Sequence, residues 1–424
     1  MKDLDKLKVS IEFQYGTEIK KRKDCEILAD EVFERTGFMI SYNTVRRFYN
    51  LAGKQSAPLS IKSLDILAKY CGFNNFRTFV GSIDNRHNKF SVYSNITLKF
   101  SLKKCVDFDI VYDIVKENSF SDQTYFFLNE ALRLAFAYSD NNFLKRFFDL
   151  KPIFEDKTFL DTRLFYLIQT LGVLTREYKD KLIIWDEWAQ SEFGRSFYFK
   201  FFVDMDNLMI DHFRAIETYS IYSKDGDKTF PNLLLFFYYY SRGEMTTANE
   251  FLSKTDRIDP LEIHPILSAR LIIYRCLSNN KICDSNWNLV MQIQKSQEEK
   301  GDYMPYFEAW ICEGLCILKE YNRVIDIFES MSSKYFEKTN HQTSGLLNRL
   351  YIYYFLSLIV KNKTEKALQI EKLISMDLLN SYSQEYDNLF YLKAKYLQVR
   401  TKLYLDKLNE KQKLLKYSFF EINS

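Results

Sequence analysis

The side chains whose types and spacing could support chemistry lie together in one short N-terminal segment. They are an asparagine, two arginines and three hydroxyl-bearing residues: Ser41, Tyr42, Asn43, Thr44, Arg46 and Arg47. An asparagine amide can form two hydrogen bonds with the edge of an adenine, and an arginine can do so with a guanine. Hydroxyl groups and the N–H groups at a helix N-terminus can hold phosphates. These residues are therefore typical of a helix that lies in a nucleic-acid groove.

The charge of the chain is concentrated in the same region. Residues 1–90 contain 16 Lys and Arg against 11 Asp and Glu, whereas the remainder contains 43 against 45. A local positive field favours a polyanionic partner. Lys54 and the run Lys20-Lys21-Arg22-Lys23 could add phosphate contacts that weaken with salt. The alternative is that this excess, and the pair Arg46-Arg47 with it, is an ordinary solvated surface.

Glycines and capping residues divide this region into short helices that must position the polar segment. We expect helices over residues 3–15, 24–36, 42–51, 61–70 and 75–80, with Gly37 and Gly72 as terminators and Ser41 and Ser60 as N-caps. Residues 82–100 are expected to form a connector. Its β-prone part, residues 90–100, is either a strand or an irregular link.

The N-terminal region resembles the phage-repressor (Xre-type) helix-turn-helix family. The resemblance rests on Leu28-Ala29, Ile40-Ser41, Thr44-Val45, Pro58, Ser60, Leu64-Asp65, Leu67-Ala68 and Gly72. It implies that a helix carrying Leu28-Ala29 packs across a second helix that reads the major groove. Ser41, Tyr42, Asn43 and Thr44 would then lie at the groove-entering end, with Arg46 and Arg47 one turn later. Gly37 lies further from Ala29 than in that family, which implies a longer first helix or turn.

The rest of the chain repeats a pattern of helix, short polar break and helix from about residue 101. The clearest unit, residues 232–260, resembles a divergent tetratricopeptide repeat. Its matching positions are Leu235, Tyr239, Ala248, Leu252 and Pro260. Leu289, Val324 and Ala367 occupy the position of Ala248 in later units whose similarity is weaker. The resemblance implies an α-solenoid in which small Ala248 permits close helix packing and Pro260 ends the second helix.

Signals for catalysis or metal binding are weak. The histidines His87, His212, His264 and His341 are far apart, and Cys312 and Cys316 share a helix face without a second ligand pair. No phosphate-binding loop, nucleophile elbow or zinc-protease motif is present. We therefore expect no enzymatic activity, no metal and no cofactor. Seven cysteines, an odd number, favour reduced thiols in the cytoplasm. The longest apolar run, residues 233–240, is too short to cross a membrane.

The sequence predicts an all-α protein with a helix-turn-helix domain at residues 1–82, a connector at 83–100 and a tetratricopeptide-like repeat domain at 101–424. This order resembles the peptide-responsive regulators of Gram-positive bacteria. The expected function is that of a cytoplasmic transcription regulator that binds double-stranded DNA as a homodimer. Its repeat domain would dimerise, bind a peptide or protein effector, or both. The alternative is a non-enzymatic interaction scaffold whose N-terminal bundle docks a protein or caps the repeats.

Overall fold

A computed structural model divides the chain into two compact units, Met1–Leu102 and Lys103–Ser424. The structure describes residues 2–15, 19–52, 59–117, 122–155, 163–224, 227–301, 303–337, 341–380 and 382–420. Within these ranges all regular secondary structure is helical and no β-strand occurs. The expected all-α class is therefore confirmed.

The first unit contains five helices: α1 (Lys2–Tyr15), α2 (Arg22–Thr36), α3 (Tyr42–Phe48), α4 (Ile61–Tyr70) and α5 (Phe76–Lys103). Helix α2 packs against both α3 and α4, and α1 packs against α4. The core between them includes Leu28 and Val32 of α2, Val45 of α3 and Leu67 of α4, all with no exposed surface. Each helix is amphipathic, so burying one apolar stripe per helix stabilises the bundle.

The ends of these helices lie at residues that the sequence identifies. Gly37 closes α2 in the left-handed region at φ 72°, and its N–H donates to the carbonyl of Phe33. Ser41 Oγ accepts the N–H of Thr44 at 3.2 Å at the start of α3. The expectation that α3 extends to about Leu51 is wrong. Asn50 adopts φ 58°, a left-handed conformation that ends the helix at Phe48.

Residues 90–100 form neither a strand nor an irregular link, because α5 runs through them without interruption. The expected connector, residues 83–100, is therefore part of a helix. Tyr93 and Phe100 are 7% and 2% exposed and lie two helical turns apart, on one face of α5. Burial of that face outweighs the weak strand preference of the β-branched residues around it.

The second unit contains eighteen α-helices within its described residues. They are α6 (Phe108–Glu117), α7 (Asp122–Ala137), α8 (Asn141–Arg146), α9 (Lys151–Glu155), α10 (Arg163–Arg176), α11 (Lys181–Gln190), α12 (Phe213–Tyr222), α13 (Thr229–Ser241), α14 (Met245–Ser253), α15 (Pro265–Ser278), α16 (Asp284–Glu299), α17 (Tyr306–Ile317), α18 (Tyr321–Ser330), α19 (Lys334–Glu337), α20 (His341–Val360), α21 (Thr364–Glu371), α22 (Gln384–Val399) and α23 (Lys402–Leu415). Two π-helical turns, Gly194–Phe199 and Leu208–His212, lie between α11 and α12.

Consecutive helices pack as pairs in the C-terminal part of this unit. The pairs are α13 with α14, α15 with α16, α17 with α18, α20 with α21, and α22 with α23. The first helix of each pair also packs against the first helix of the next pair, along α13, α15, α17, α20 and α22. Gly314 of α17 permits one such close approach. A Cβ atom there would lie 1.9 Å from Cγ1 of Ile273 in α15.

The positions singled out by the repeat pattern are mostly buried in second helices of these pairs. Ala248, Val324 and Ala367 have no exposed surface, whereas Leu289 is half-buried and its neighbour Val290 takes the buried position. The expectation that Pro260 ends the second helix is wrong. Helix α14 ends at Ser253, and Pro260 lies in the turn region that follows.

Candidate functional site

Helix α3 turns two polar side chains away from the core of the first unit. Val45 and Phe48, the inward residues, are 0% and 3% exposed. At about 100° per residue, Asn43 and Arg47 lie one turn apart on the opposite face. Asn43 is exposed, and Arg47 is half-buried, with its Nη2 donating to Thr44 Oγ1 at 3.4 Å. The amide and one guanidinium are therefore presented side by side, which is the arrangement needed to contact adjacent base edges.

The hydroxyl residues at the start of α3 stabilise this end of the helix. Ser41 Oγ and Thr44 Oγ1 lie 2.9 Å apart, and Ser41 also caps the helix. Tyr42 is half-buried, and its hydroxyl accepts a hydrogen bond from Arg22 Nη2 at 3.5 Å. The Arg22 guanidinium lies 5.2 Å from the centroid of the same ring. Tyr42 thus connects the start of α3 to the start of α2.

Arg46 lies in a different environment from Arg47. It is half-buried, its Nη2 donates to the carbonyl of Leu51 at 3.3 Å, and its Nε is buried without a hydrogen-bond partner among the described residues. Arg46 therefore supports the backbone that follows α3. In the described part of the chain, neither arginine forms an ion pair with a carboxylate.

A basic run begins α2 next to this surface. Lys20, Lys21, Arg22 and Lys23 are all exposed. Asp24 accepts the N–H groups of Lys20 and Lys21 at 3.0 and 2.8 Å, and these two hydrogen bonds lower the pKa of its carboxyl. The backbone at the start of the run is thus fixed, and the Arg22 guanidinium is held by Glu26 as well as by Tyr42. Lys54, the remaining residue of the expected site, lies outside the described residues.

The second unit contains a buried ion cluster that sequence reasoning missed. Arg349 donates to Glu313 and Asp387, at 3.0 Å each, and all three residues are nearly inaccessible to solvent. Tyr353 donates to Asp387 at 2.7 Å and Tyr386 to Glu313 at 2.6 Å. Burial raises the pKa of the Glu313 carboxyl, and the Arg349 charge opposes that shift. Charged residues inside otherwise apolar helices are the sequence signal for such a cluster.

Asp206 is a second buried carboxylate that the sequence did not single out as functional. Its oxygens accept the N–H groups of Tyr386 at 2.8 Å and Glu385 at 3.3 Å, at the start of α22. Its own N–H donates to the carbonyl of Tyr382 at 3.2 Å. Burial raises the pKa of Asp206 to about 7, although the two backbone donors oppose the shift. Asp206 therefore joins residues 203–207 to α22 through a group that titrates near neutrality.

We expect the contribution of Asp206 to the stability of the protein to fall as the pH rises from about 4 to 7. The unfolded state releases the Asp206 proton near its ordinary pKa of 3.8, whereas the folded state retains it to about 7. Folding therefore binds a proton in this window, and raising the pH removes up to roughly 4 kcal/mol of stability. Urea unfolding at several pH values measures the slope. Asp206→Asn should flatten it, whereas Asp256→Asn, at an exposed aspartate, should not.

Comparison of the chain with protein-family models, curated proteins and solved structures finds no match. Within the described residues, no helix combines the length and the apolar character needed to cross a bilayer. The same residues include no group of three or more His, Cys, Asp or Glu side chains placed to hold a metal ion. Cys312 and Cys316 are buried and unpaired.

Proposed function

We propose that this protein is a DNA-binding transcription regulator. The observation that carries the proposal is the outward pair Asn43 and Arg47, on a short helix capped by Ser41 and adjoined by the exposed run Lys20–Lys23. Base-reading groups beside backbone-binding cations are what a sequence-specific duplex binder requires. The Xre-type helix-turn-helix resemblance agrees with this assignment, since α2 and α3 would be its two helices.

In this mechanism α3 enters the major groove with its N-terminal end first. Asn43 and Arg47 contact base edges, while Ser41, Thr44 and the cationic run contact phosphates. Arg46 contributes by supporting the chain after α3. Two copies of the protein place two α3 helices in successive major grooves about one helical turn apart, so the binding site is a pair of half-sites.

The second unit is proposed to be an α-solenoid of tetratricopeptide-like helix pairs that dimerises or binds an effector. The successive packing of α13, α15, α17, α20 and α22 supports this arrangement, because solenoid repeats contact mainly their neighbours. A peptide or protein effector that prefers one curvature of the stack would change the spacing of the two reading helices. The change in DNA-binding free energy that the effector causes would equal the difference between its binding free energies for the two shapes of the stack.

The proposal predicts strongly salt-dependent duplex binding by the full-length protein. Genomic fragments enriched by the purified chain supply the duplex, and fluorescence anisotropy gives its affinity across a salt series. Lys21→Gln with Lys23→Gln should lower the slope of log K against log salt by about one for each lysine that contacts a phosphate. Arg257→Gln removes an exposed charge from the second unit and should leave the slope unchanged. Equal slopes for all three proteins would contradict the assigned backbone contacts.

A second candidate function is that of a protein-interaction scaffold. Phe38 and Met39, in the turn that precedes α3, are 44% and 83% exposed. An exposed apolar turn of this kind can dock against a protein partner. Absence of duplex binding by the wild-type protein at low salt, with enrichment of no genomic fragment, would favour the scaffold over the regulator.

A further inference from the structure

The second unit contains a cavity of about 210 Å³ that lies along the first helices of four successive helix pairs. Phe230 of α13, Arg270 of α15, Trp310 of α17 and Arg349 of α20 contribute to its wall. Most of its remaining lining is aromatic or aliphatic. Among the described residues that line it, none is an aspartate or a glutamate. We call this space the Arg270 cavity.

Arg270 is the unusual residue of this cavity. It is 2% exposed, and its Nε and Nη1 atoms are buried without a hydrogen-bond partner in the described part of the chain. Its guanidinium carbon lies 4.1 Å from the ring centroid of Trp310 and 5.5 Å from that of Phe230. Aromatic rings compensate part of the charge by cation–π attraction, but they give no acceptor for in-plane N–H groups. A buried guanidinium in this state is costly without an additional acceptor.

The other cations of the cavity already have carboxylate partners. Arg349 is neutralised by Glu313 and Asp387, each at 3.0 Å, and Lys200 Nζ lies 2.8 Å from Asp227. Arg270 forms no salt bridge with a carboxylate of the described residues, although the nearby Glu313 carboxylate attracts it electrostatically. A monocarboxylate would supply the in-plane acceptors that this guanidinium lacks, whereas a dianion would bring a second negative charge close to the buried Glu313 and Asp387.

We propose that the Arg270 cavity binds a small organic monocarboxylate. The carboxylate accepts charge-assisted hydrogen bonds from the Arg270 guanidinium, whose planar fork matches its geometry. The apolar body of the ligand contacts the aromatic and aliphatic lining, including Phe230 and Leu346. The volume is below the roughly 300–1,000 Å³ of sites for drug-sized ligands, so the occupant has the size of a small metabolite.

This binding site does not depend on the proposed DNA binding. All the residues that line it, from Phe165 to Ser383, lie within the second unit. Its test therefore uses the full-length protein in the absence of DNA, and the result leaves the nucleic-acid assignment untouched.

The experiment measures binding of matched probes by calorimetry and ligand-observed NMR. Phenylacetate and indole-3-acetate carry one carboxylate on a flat apolar body, phenylacetamide is the neutral counterpart, and phenyl phosphate is the dianionic one. We expect saturable millimolar binding of the two carboxylates and at least about tenfold weaker binding of the amide and the phosphate. Failure of both carboxylates to bind, or equal binding of phenylacetate and phenylacetamide, would overturn the proposal. Tighter binding of phenyl phosphate would overturn the monoanion assignment.

Two variants connect the binding to Arg270 itself. Arg270→Met removes the charge at similar size and should abolish phenylacetate binding. Its melting temperature should stay close to that of the wild type, because the charge that is removed is buried and forms no salt bridge within the described residues. Arg270→Lys keeps the charge but loses the planar fork, and should bind phenylacetate more weakly than the wild type. A folded Arg270→Met variant that binds phenylacetate as the wild type does would refute the site. Should that variant not fold, wild-type affinity in Arg270→Lys would refute it instead.

Discussion

Replacing Asn43 and Arg47 together with alanine is expected to lower the affinity for the enriched duplex by about a hundredfold or more. Both residues lie opposite the buried face of α3, and Asn43 is exposed. Each base contact of this kind contributes about 1–3 kcal/mol, and in the proposed complex the two residues contact neighbouring bases. Fluorescence anisotropy with the enriched duplex and a scrambled one gives both affinities. The loss should be larger for the enriched duplex, because base contacts carry the specificity.

The matched control is Asn288→Ala with Arg257→Ala, which removes the same two residue types from exposed positions of the second unit. That control should bind both duplexes as the wild type does. Arg46→Ala is a different case, because Arg46 donates to the Leu51 carbonyl and is half-buried. It should lower the melting temperature of the first unit, whereas Asn43→Ala should not. If the double variant and its control bound the enriched duplex with equal affinity, the assignment of α3 as the reading helix would be contradicted.

Replacing Arg349 with alanine is expected to lower the free energy of unfolding by about 3–5 kcal/mol. The change leaves the carboxylates of Glu313 and Asp387 buried, close together and without their shared cation. Among the described residues Glu313 would keep the Tyr386 hydroxyl as its hydrogen-bond donor, and protonation of its carboxylate would be the least costly response. Urea unfolding followed by circular dichroism measures the loss, which should be smaller at acidic pH, since burial raises the pKa of the Glu313 carboxyl and favours its neutral form.

An exposed ion pair of the same unit provides the comparison. Lys366 Nζ and Glu329 Oε1 lie 2.7 Å apart, but their side chains remain 48% and 42% exposed. Lys366→Ala should therefore cost no more than about 1 kcal/mol. A loss of that small size in Arg349→Ala would contradict the view that the buried cluster stabilises the stack of first helices.

Much of the first unit could be predicted from sequence because its signals are local. Gly37 as terminator and Ser41 and Ser60 as N-caps act within one helical turn, and all three occur where expected. One error arose where burial prevailed over local preference, since the β-prone residues 90–100 are helical and Tyr93 and Phe100 bury one face of α5. The other two concern helix ends: Asn50 takes a left-handed conformation that ends α3 early, and α14 ends at Ser253, before Pro260.

The sequence by itself determined the helical class, the end of α2, the N-caps of α3 and α4 and the polar face of α3, since periodicity and capping depend only on near neighbours. Tertiary structure alone brought Arg349 to Glu313 and Asp387 and left Arg270 beside Trp310. These contacts join helices far apart in the chain, so the partner that each buried charge finds depends on which side chains the packing brings together.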